Sequence, residues 1–205
     1  MELKEMICES DQLEDYLLEL NEVNYSNPMI KAKIEVLFNS TQTEVEKAKV
    51  AYEFVRDEIA HSWDIQGKRV TCNASDVLNY KEGICYAKSN LLAALLRSQQ
   101  IPTGFCYQRL MLFDMPEKGY SLHTLNAVYL KSFKKWIRLD ARGNKTGVDA
   151  QFLIDEEKLA FSVNENYGEK DYPVIYIEPN PKTINVLKEH SDVVEMYKHH
   201  LPESI

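Results

Sequence analysis

Gly83-Ile84-Cys85-Tyr86-Ala87-Lys88-Ser89-Asn90-Leu91-Leu92-Ala93-Ala94-Leu95-Leu96-Arg97 is the stretch on which the reading of this chain turns. Lys81-Glu82-Gly83 is a break, and from Cys85 to about Gln99 the pattern is helical. Leu91, Leu92, Leu95 and Leu96, with Ala87, Ala93 and Ala94, make the helix apolar around much of its circumference. Such a helix belongs inside a domain. Pro102 stops it. Cys85 opens the helix, where backbone N–H groups lack intrahelical acceptors and the dipole is positive. The thiolate is the useful form of cysteine, and a helix start favours it. The same N–H groups can stabilise an oxyanion in front of the sulfur.

Upstream, the chain reads as helical scaffold. Leu13, Tyr16, Leu17 and Leu20 fall at helical spacing. Asn27 followed by Pro28 is a helix start, a capping side chain and then Pro at the first helical position. Thr43-Glu44-Val45-Glu46 has the pattern of a capping box. Val45, Ala48, Tyr52, Val55 and Ile59 then form a core-facing stripe. His61 to Val70 reads as a loop, with a short helix around Ala74 to Leu78.

Downstream, the character changes. Thr103 to Phe113, Leu122 to Leu130 and Trp136 to Ala141 read as strands, the last two joined into a hairpin by residues 131–135. Asp171 to Glu178 suggests a further strand, and Thr183 to about His199 returns to helix. Helices first and an antiparallel sheet afterwards is an α+β pattern.

At 205 residues the chain is long enough for one sizeable domain and short for two, so 1–205 is expected to be a single domain with its core at about 45–145. The net charge of −8, with no Lys/Arg cluster, argues against nucleic acid and against an anionic membrane surface as partners. The N-terminal MELKEMICESDQLEDYLLEL lacks the basic start and apolar run of a secretory signal. No apolar run approaches the roughly 20 residues of a membrane span. A cytoplasmic location is expected. Cys8, Cys72, Cys85 and Cys106 form no CxxC pair and are expected as free thiols. Their spacing with His123 is unlike ordinary zinc motifs, so no metal and no cofactor are expected.

His123 is the only histidine in the strand region, and Asp140 ends the second arm of the hairpin. Folding the hairpin brings both to the same end. An imidazole beside a thiol activates it and later protonates the leaving group. A carboxylate holds the imidazole in the working tautomer. The order Cys85, His123, Asp140 therefore suggests nucleophilic catalysis at a carbonyl carbon. His61, His190, His199 and His200 have no such companion and are expected on the surface.

These residues resemble the transglutaminase-like superfamily. Gly83-Ile84-Cys85 through Leu95-Leu96-Arg97, then Ile101-Pro102, is similar to its nucleophile helix. His123-Thr124-Leu125-Asn126-Ala127-Val128-Tyr129-Leu130 and Trp136-Ile137-Arg138-Leu139-Asp140 resemble its His and Asp strands. The resemblance runs from about Ala51 to Lys145 and looks like a bacterial, single-domain branch. It implies a papain-like α+β core, with the nucleophile-bearing helix packed on an antiparallel sheet. Cys85 would be the nucleophile, His123 the general base and acid, and Asp140 the orienting carboxylate. Members act on amides through a thioester, in transamidation, deamidation, peptide hydrolysis or release of glycans from Asn. Two positions depart from the usual pattern: Leu125 where many members carry Trp, and Gln100 where Gly is usual before Ile-Pro.

Further substrate contacts are expected from Trp63, Tyr107 and Arg142. Asn73 is either a side-chain donor in the oxyanion hole or a helix cap. The expected activity is cysteine-dependent hydrolysis of a peptide or side-chain amide, with a peptide or protein as partner. Protein-glutamine transamidation is the alternative enzyme, and a non-catalytic binding or scaffold module that keeps the fold is the alternative outside catalysis.

Overall fold

In the computed structural model, which describes residues 6–205, the helix starts marked at Asn27 and Thr43 are closed by those side chains. The first five residues of the acidic N-terminal stretch lie outside the described residues. Strand β1 (Ile7–Cys8) leads into a short 3-10 helix, Leu13–Leu17. The α-helix expected through Leu20 does not form. Of its four apolar positions only Tyr16 is buried, so there is no stripe to hold a longer helix. In α1 (Pro28–Leu37), Asn27 Oδ1 accepts the Met29 N–H at 2.9 Å. In α2 (Glu44–Glu58), Thr43 Oγ1 accepts the Glu46 N–H at 3.2 Å, and the Glu46 carboxylate accepts the Thr43 N–H at 2.7 Å. Ala48, Ala51, Tyr52 and Val55 bury one face of α2.

Strand β2 (Ala60–His61), helix α3 (Ala74–Tyr80) and strand β3 (Glu82–Gly83) follow, with β2 and β3 paired in parallel and His61 beside Gly83. A Cβ on Gly83 would meet Thr71 Oγ1 at 3.0 Å and Ala87 Cβ at 3.3 Å, so the entry to the next helix is tightly packed. Helix α4 (Cys85–Arg97) is buried at every position and is the axis of the main apolar core. Its last residue, Arg97, is fully buried, and its guanidinium donates to Thr103 O, Leu18 O and Ile177 O. One side chain thereby ties the helix to the N-terminal segment, the sheet and the C-terminal segment. Gln100 has φ +59°, in the left-handed region that glycine adopts most easily.

Strands β4 (Thr103–Met111), β5 (Tyr120–Leu130), β6 (Lys135–Leu139) and β7 (Lys170–Asp171) form an antiparallel sheet in the order β6-β5-β4-β7. Alternation along the strands separates two faces. Phe105, Tyr107, Leu122, Val128, Leu130, Ile137 and Leu139 join the core around α4, whereas Cys106, Leu125 and Ala127 join a smaller cluster with Tyr16 and Ile175.

The strand expected over Asp171 to Glu178 is broken in two. Pro173, which has no N–H to donate, separates β7 from β8 (Val174–Ile175), and β8 pairs with β1 instead. The single helix expected over Thr183 to His199 is also two, α5 (Pro181–Glu189) and α6 (Val193–His199). Asp192 restarts the second by accepting the N–H groups of Val194 and Glu195 at 2.9 and 3.1 Å. The α+β class holds, with helices and an antiparallel sheet in separate stretches of chain. Among the described residues, no helix is long and apolar enough to cross a membrane.

Candidate active site

The first turn of α4 and the start of β5 are stitched together at main-chain level. Tyr86 Oη donates to Leu122 O at 2.8 Å, and Asn126 Nδ2 donates to Ser89 O at 3.3 Å and to Gly104 O at 3.2 Å. These contacts flank residue 123 and hold Cys85, the first residue of α4, against it. The hairpin does the rest. Asn126 pairs with Leu139, so Asp140 lies across from residue 125, one diagonal step from His123 on the same face. His123 Nε2 meets Asp140 Oδ2 at 2.7 Å, and Cys85, which lines the same cleft as His123, is close enough to raise the proton affinity of the ring. Cys85, His123 and Asp140 are thus brought together. All three are buried, at 7%, 5% and 1% exposure, so their mutual interactions are little screened by water.

Burial disfavours a charged His123, but the Asp140 carboxylate and the neighbouring Cys85 outweigh it and push the imidazole up to about 10. Burial likewise opposes the Asp140 carboxylate. Its contact with His123 and two main-chain donors overcome that and hold it below the ordinary carboxylate range. The two donors are the Arg142 N–H to Oδ1 at 3.1 Å and the Ala160 N–H to Oδ2 at 3.0 Å. A carboxylate saturated in this way fixes the ring by accepting its Nε2–H, which leaves Nδ1 for the sulfur.

With Asp140 buried behind the imidazole, Cys85 and His123 line a cleft of about 430 Å³. Trp63 and Arg142, two of the four expected substrate contacts, line it. Trp63 stacks on Tyr197 with ring centroids 4.6 Å apart and tilts against Phe113 at 5.2 Å. Arg142 is buried, and its guanidinium donates to both carboxylate oxygens of Asp64, which also accepts Lys145 Nζ at 2.7 Å. Burial of Asp64 is outweighed by these two cations, which hold its carboxyl at about 2. Arg142 therefore comes to the cleft already paired.

The other two expected contacts lie elsewhere. Tyr107 is wholly buried on the α4 side of the sheet, where its oxygen accepts the Asn180 N–H at 2.6 Å, and it does not line the cleft. Asn73 takes the cap position of α3 and is also absent from the cleft wall. It therefore holds the expected cap position, although its side chain makes no cap hydrogen bond. Trp136 packs edge-on to Tyr16 at 4.9 Å, a sheet-packing role.

His61 is the residue that sequence reasoning misplaced. It is 5% exposed, not on the surface, and lines the cleft with Cys85. No signal in the sequence marks it, because the strand that holds it is two residues long. Phe161 and Tyr197 were also missed. Phe161 stands edge-on to His123 at 5.1 Å and comes from an irregular segment with no periodicity to read, whereas the helical spacing of Tyr197 in α6 reads as packing and gives no sign of the cleft. Among the described residues, no group of three His, Cys, Asp or Glu is placed to hold a metal ion.

A family profile described as the transglutaminase-like superfamily matches residues 31–141. The chain belongs to that superfamily. The match spans α1 to the end of the hairpin, so it contains Cys85, His123 and Asp140, while Ala160, Phe161 and Tyr197 lie beyond it. A search of curated proteins found no match. Among solved structures, one described as a "Putative Cysteine Protease" from Cytophaga hutchinsonii aligns with a TM-score of 0.51 and 16% identity, covering 65% of this chain and 43% of that one. Another, described as a TGase, aligns with a TM-score of 0.48 and 17% identity, covering 92% of this chain and 54% of that one. The chain thus spans about half the length of the structures it matches. At such identities, the first of these likenesses is one of fold. The superfamily assignment rests on the profile, and Leu125, where many superfamily members carry Trp, is here buried in the second apolar cluster.

Proposed function

We propose that the protein is a cysteine-dependent amide acyl enzyme that hydrolyses a peptide or side-chain amide through a thioester. One observation carries this reading: the His123 of a buried His123–Asp140 pair, closed at 2.7 Å, shares one cleft wall with Cys85 at the start of a helix. In that arrangement Cys85 is the nucleophile. Its thiolate attacks the amide carbonyl, and the imidazolium of His123 protonates the departing amine. His123 then takes a proton from water, which attacks the thioester and releases the thiolate. Asp140 holds the ring in register throughout. Water is the simplest second nucleophile, and a primary amine in its place would make the enzyme a transamidase.

Iodoacetamide labelling at pH 6–7 tests the thiol. Cys85 should be alkylated ahead of Cys8, Cys72 and Cys106, and His123→Ala should slow it by roughly 10²-fold or more. Equal, slow labelling of all four would overturn the proposal. Incubation with a casein acceptor and a labelled primary amine separates the outcomes. Ammonia or new termini without incorporation means hydrolysis, whereas incorporation means transamidation.

A further inference from the structure

A thiolate adding to an amide carbonyl creates a negative oxygen, and a buried cleft needs donors aimed at it. The Cys85 N–H is one. It lies in the first turn of α4, where Lys88 N–H is the donor that reaches Ile84 O at 3.0 Å and the earlier N–H groups have no intrahelical acceptor. A side chain on the cleft wall can supply a second donor from the other side. We infer that His61 is that donor, a neutral imidazole whose N–H binds the oxyanion.

Three observations carry this, and it rests on the acyl-enzyme reading above. The first is place. The β2–β3 pairing sets His61 beside Gly83, and the Ser62 N–H to Gly83 O bond at 3.2 Å fixes the register immediately before Cys85. Two residues of ordered strand therefore relate the ring to the nucleophile. The second is an unmet bond. His61 Nδ1 is buried with no hydrogen-bond partner. An orphaned buried N–H is rarer than an under-used acceptor. The cheaper tautomer thus leaves Nδ1 bare and carries the proton on Nε2, the other edge of a ring that lines the cleft. The third is charge. Burial, together with Arg142, Lys88 and His123, drives His61 well below its ordinary range against the opposing pull of Asp64, so the ring stays neutral beside a cationic His123. A neutral donor stabilises the alkoxide without quenching the attacking thiolate by proton transfer. The edge-on contact with Tyr197 at 6.1 Å helps hold the ring plane.

The step balances without a change in His61. The sulfur pair forms the C–S bond while the carbonyl π pair moves to oxygen, which accepts hydrogen bonds from His61 and from the Cys85 N–H. Collapse restores the carbonyl and breaks the C–N bond, and the nitrogen takes its proton from His123. His61 ends as it began.

The experiment compares two reactions of the same thiol in the full chain. p-Nitrophenyl acetate acylates a thiolate through a tetrahedral oxyanion, whereas iodoacetamide alkylates it by displacement with no oxyanion. His61→Ala should lower the rate of p-nitrophenolate release by roughly 10²–10³-fold and leave the alkylation rate of Cys85 within about twofold. His61→Gln, which offers an amide N–H, should recover about tenfold or more of the acylation rate. Alkylation by iodoacetamide also certifies that each variant is folded around a working thiol. Equal losses in both reactions would make His61 a packing or thiol-positioning residue and overturn the inference. So would unchanged acylation in His61→Ala, or a loss that appears in Trp63→Phe instead. Wild-type Cys85 unreactive toward both probes, or reactive without dependence on His123, is a different failure, that of the acyl-enzyme reading itself.

Discussion

The two faces of the β6-β5-β4-β7 sheet follow opposite rules. The face toward α4 is closed by an apolar helix, and its inward side chains are mostly aromatic or aliphatic, with Asn126 bonded to the helix main chain at Ser89 O. The other face carries His123, Asp140, Gln108 and Arg138 beside Cys106, Leu125 and Ala127, and much of its cover is chain between β6 and β8 with little regular structure. Two buried ionic groups sit there, two residues apart on β6. One is His123–Asp140, open to a cleft. The other is closed: Arg138 donates to both oxygens of Glu157, at 2.8 and 2.7 Å, and to Asp171 at 2.7 Å. The first has a thiol beside it in the cleft wall; the second satisfies a guanidinium with carboxylates on two sides. The helix-covered face is held by apolar packing, and the loop-covered face by buried ion pairs, with Cys85 at the start of α4 where the two meet.

The sharpest way to break this comparison is Asp140→Asn. It keeps the shape but replaces the carboxylate charge and one of its two accepting oxygens with a neutral amide, and acylation of Cys85 in the folded protein should fall by roughly 10³–10⁴-fold. A large loss of stability with modest loss of rate would place Asp140 with the structural cluster instead. The pair also sets a pH dependence. The folded-state value of His123 is raised, so its contribution to stability is complete below about pH 6.5 and fades as pH climbs through about 10. Asp140 is lowered, so its contribution is complete above about pH 4 and is lost on further acidification. Urea midpoints measured from pH 6 to 10 should therefore fall more steeply in the wild type than in His123→Gln.

Arg138→Ala should cost about 3–5 kcal/mol, because Glu157 and Asp171 lose their shared cation in a buried site. The alkylation rate of Cys85 in the folded fraction should stay near the wild-type value, and a collapse of that rate would join the two clusters into one functional unit. On the opposite face, Leu92→Ala removes a fully buried side chain and should cost about 2–5 kcal/mol by chemical denaturation, again with the thiol reactive in folded protein. The smallest effect is a gain. Gln100→Gly relieves a left-handed residue and should raise stability by about 0.5–1 kcal/mol, the steric relief exceeding the entropy that glycine loses.

The comparison also explains what was readable in advance. Helix α4, the capping box at Thr43 and the hairpin carry period and punctuation, so Cys85, His123 and Asp140 could be named and even placed at one end of the sheet. The far-face cover has neither. Nothing in residues 141–175 announces that the Ala160 N–H reaches Asp140 or that Phe161 stands against His123, because those contacts depend on the path of a loop. The misplacement of His61 has a related cause. A lone polar residue after an apolar stripe reads as surface unless the two-residue strand pairing β2–β3 is known, and a pairing that short leaves no sequence pattern. Tyr107 failed the other way. It alternates correctly along its strand, but on the face that turns toward α4.

The last wall of the cleft has a consequence for the order in which the protein is made. Tyr197 stacks on Trp63, Leu201 lines the cleft, and the Leu122 N–H donates to Pro202 O at 2.7 Å, next to His123. A ribosome delivers Cys85, His123 and Asp140 well before Tyr197, Leu201 and Pro202. Until the final stretch emerges and docks, the thiol and its partners lack one side of their enclosure and the tether on the strand that bears the imidazole. The newborn chain thus carries its reactive atoms before it carries their housing.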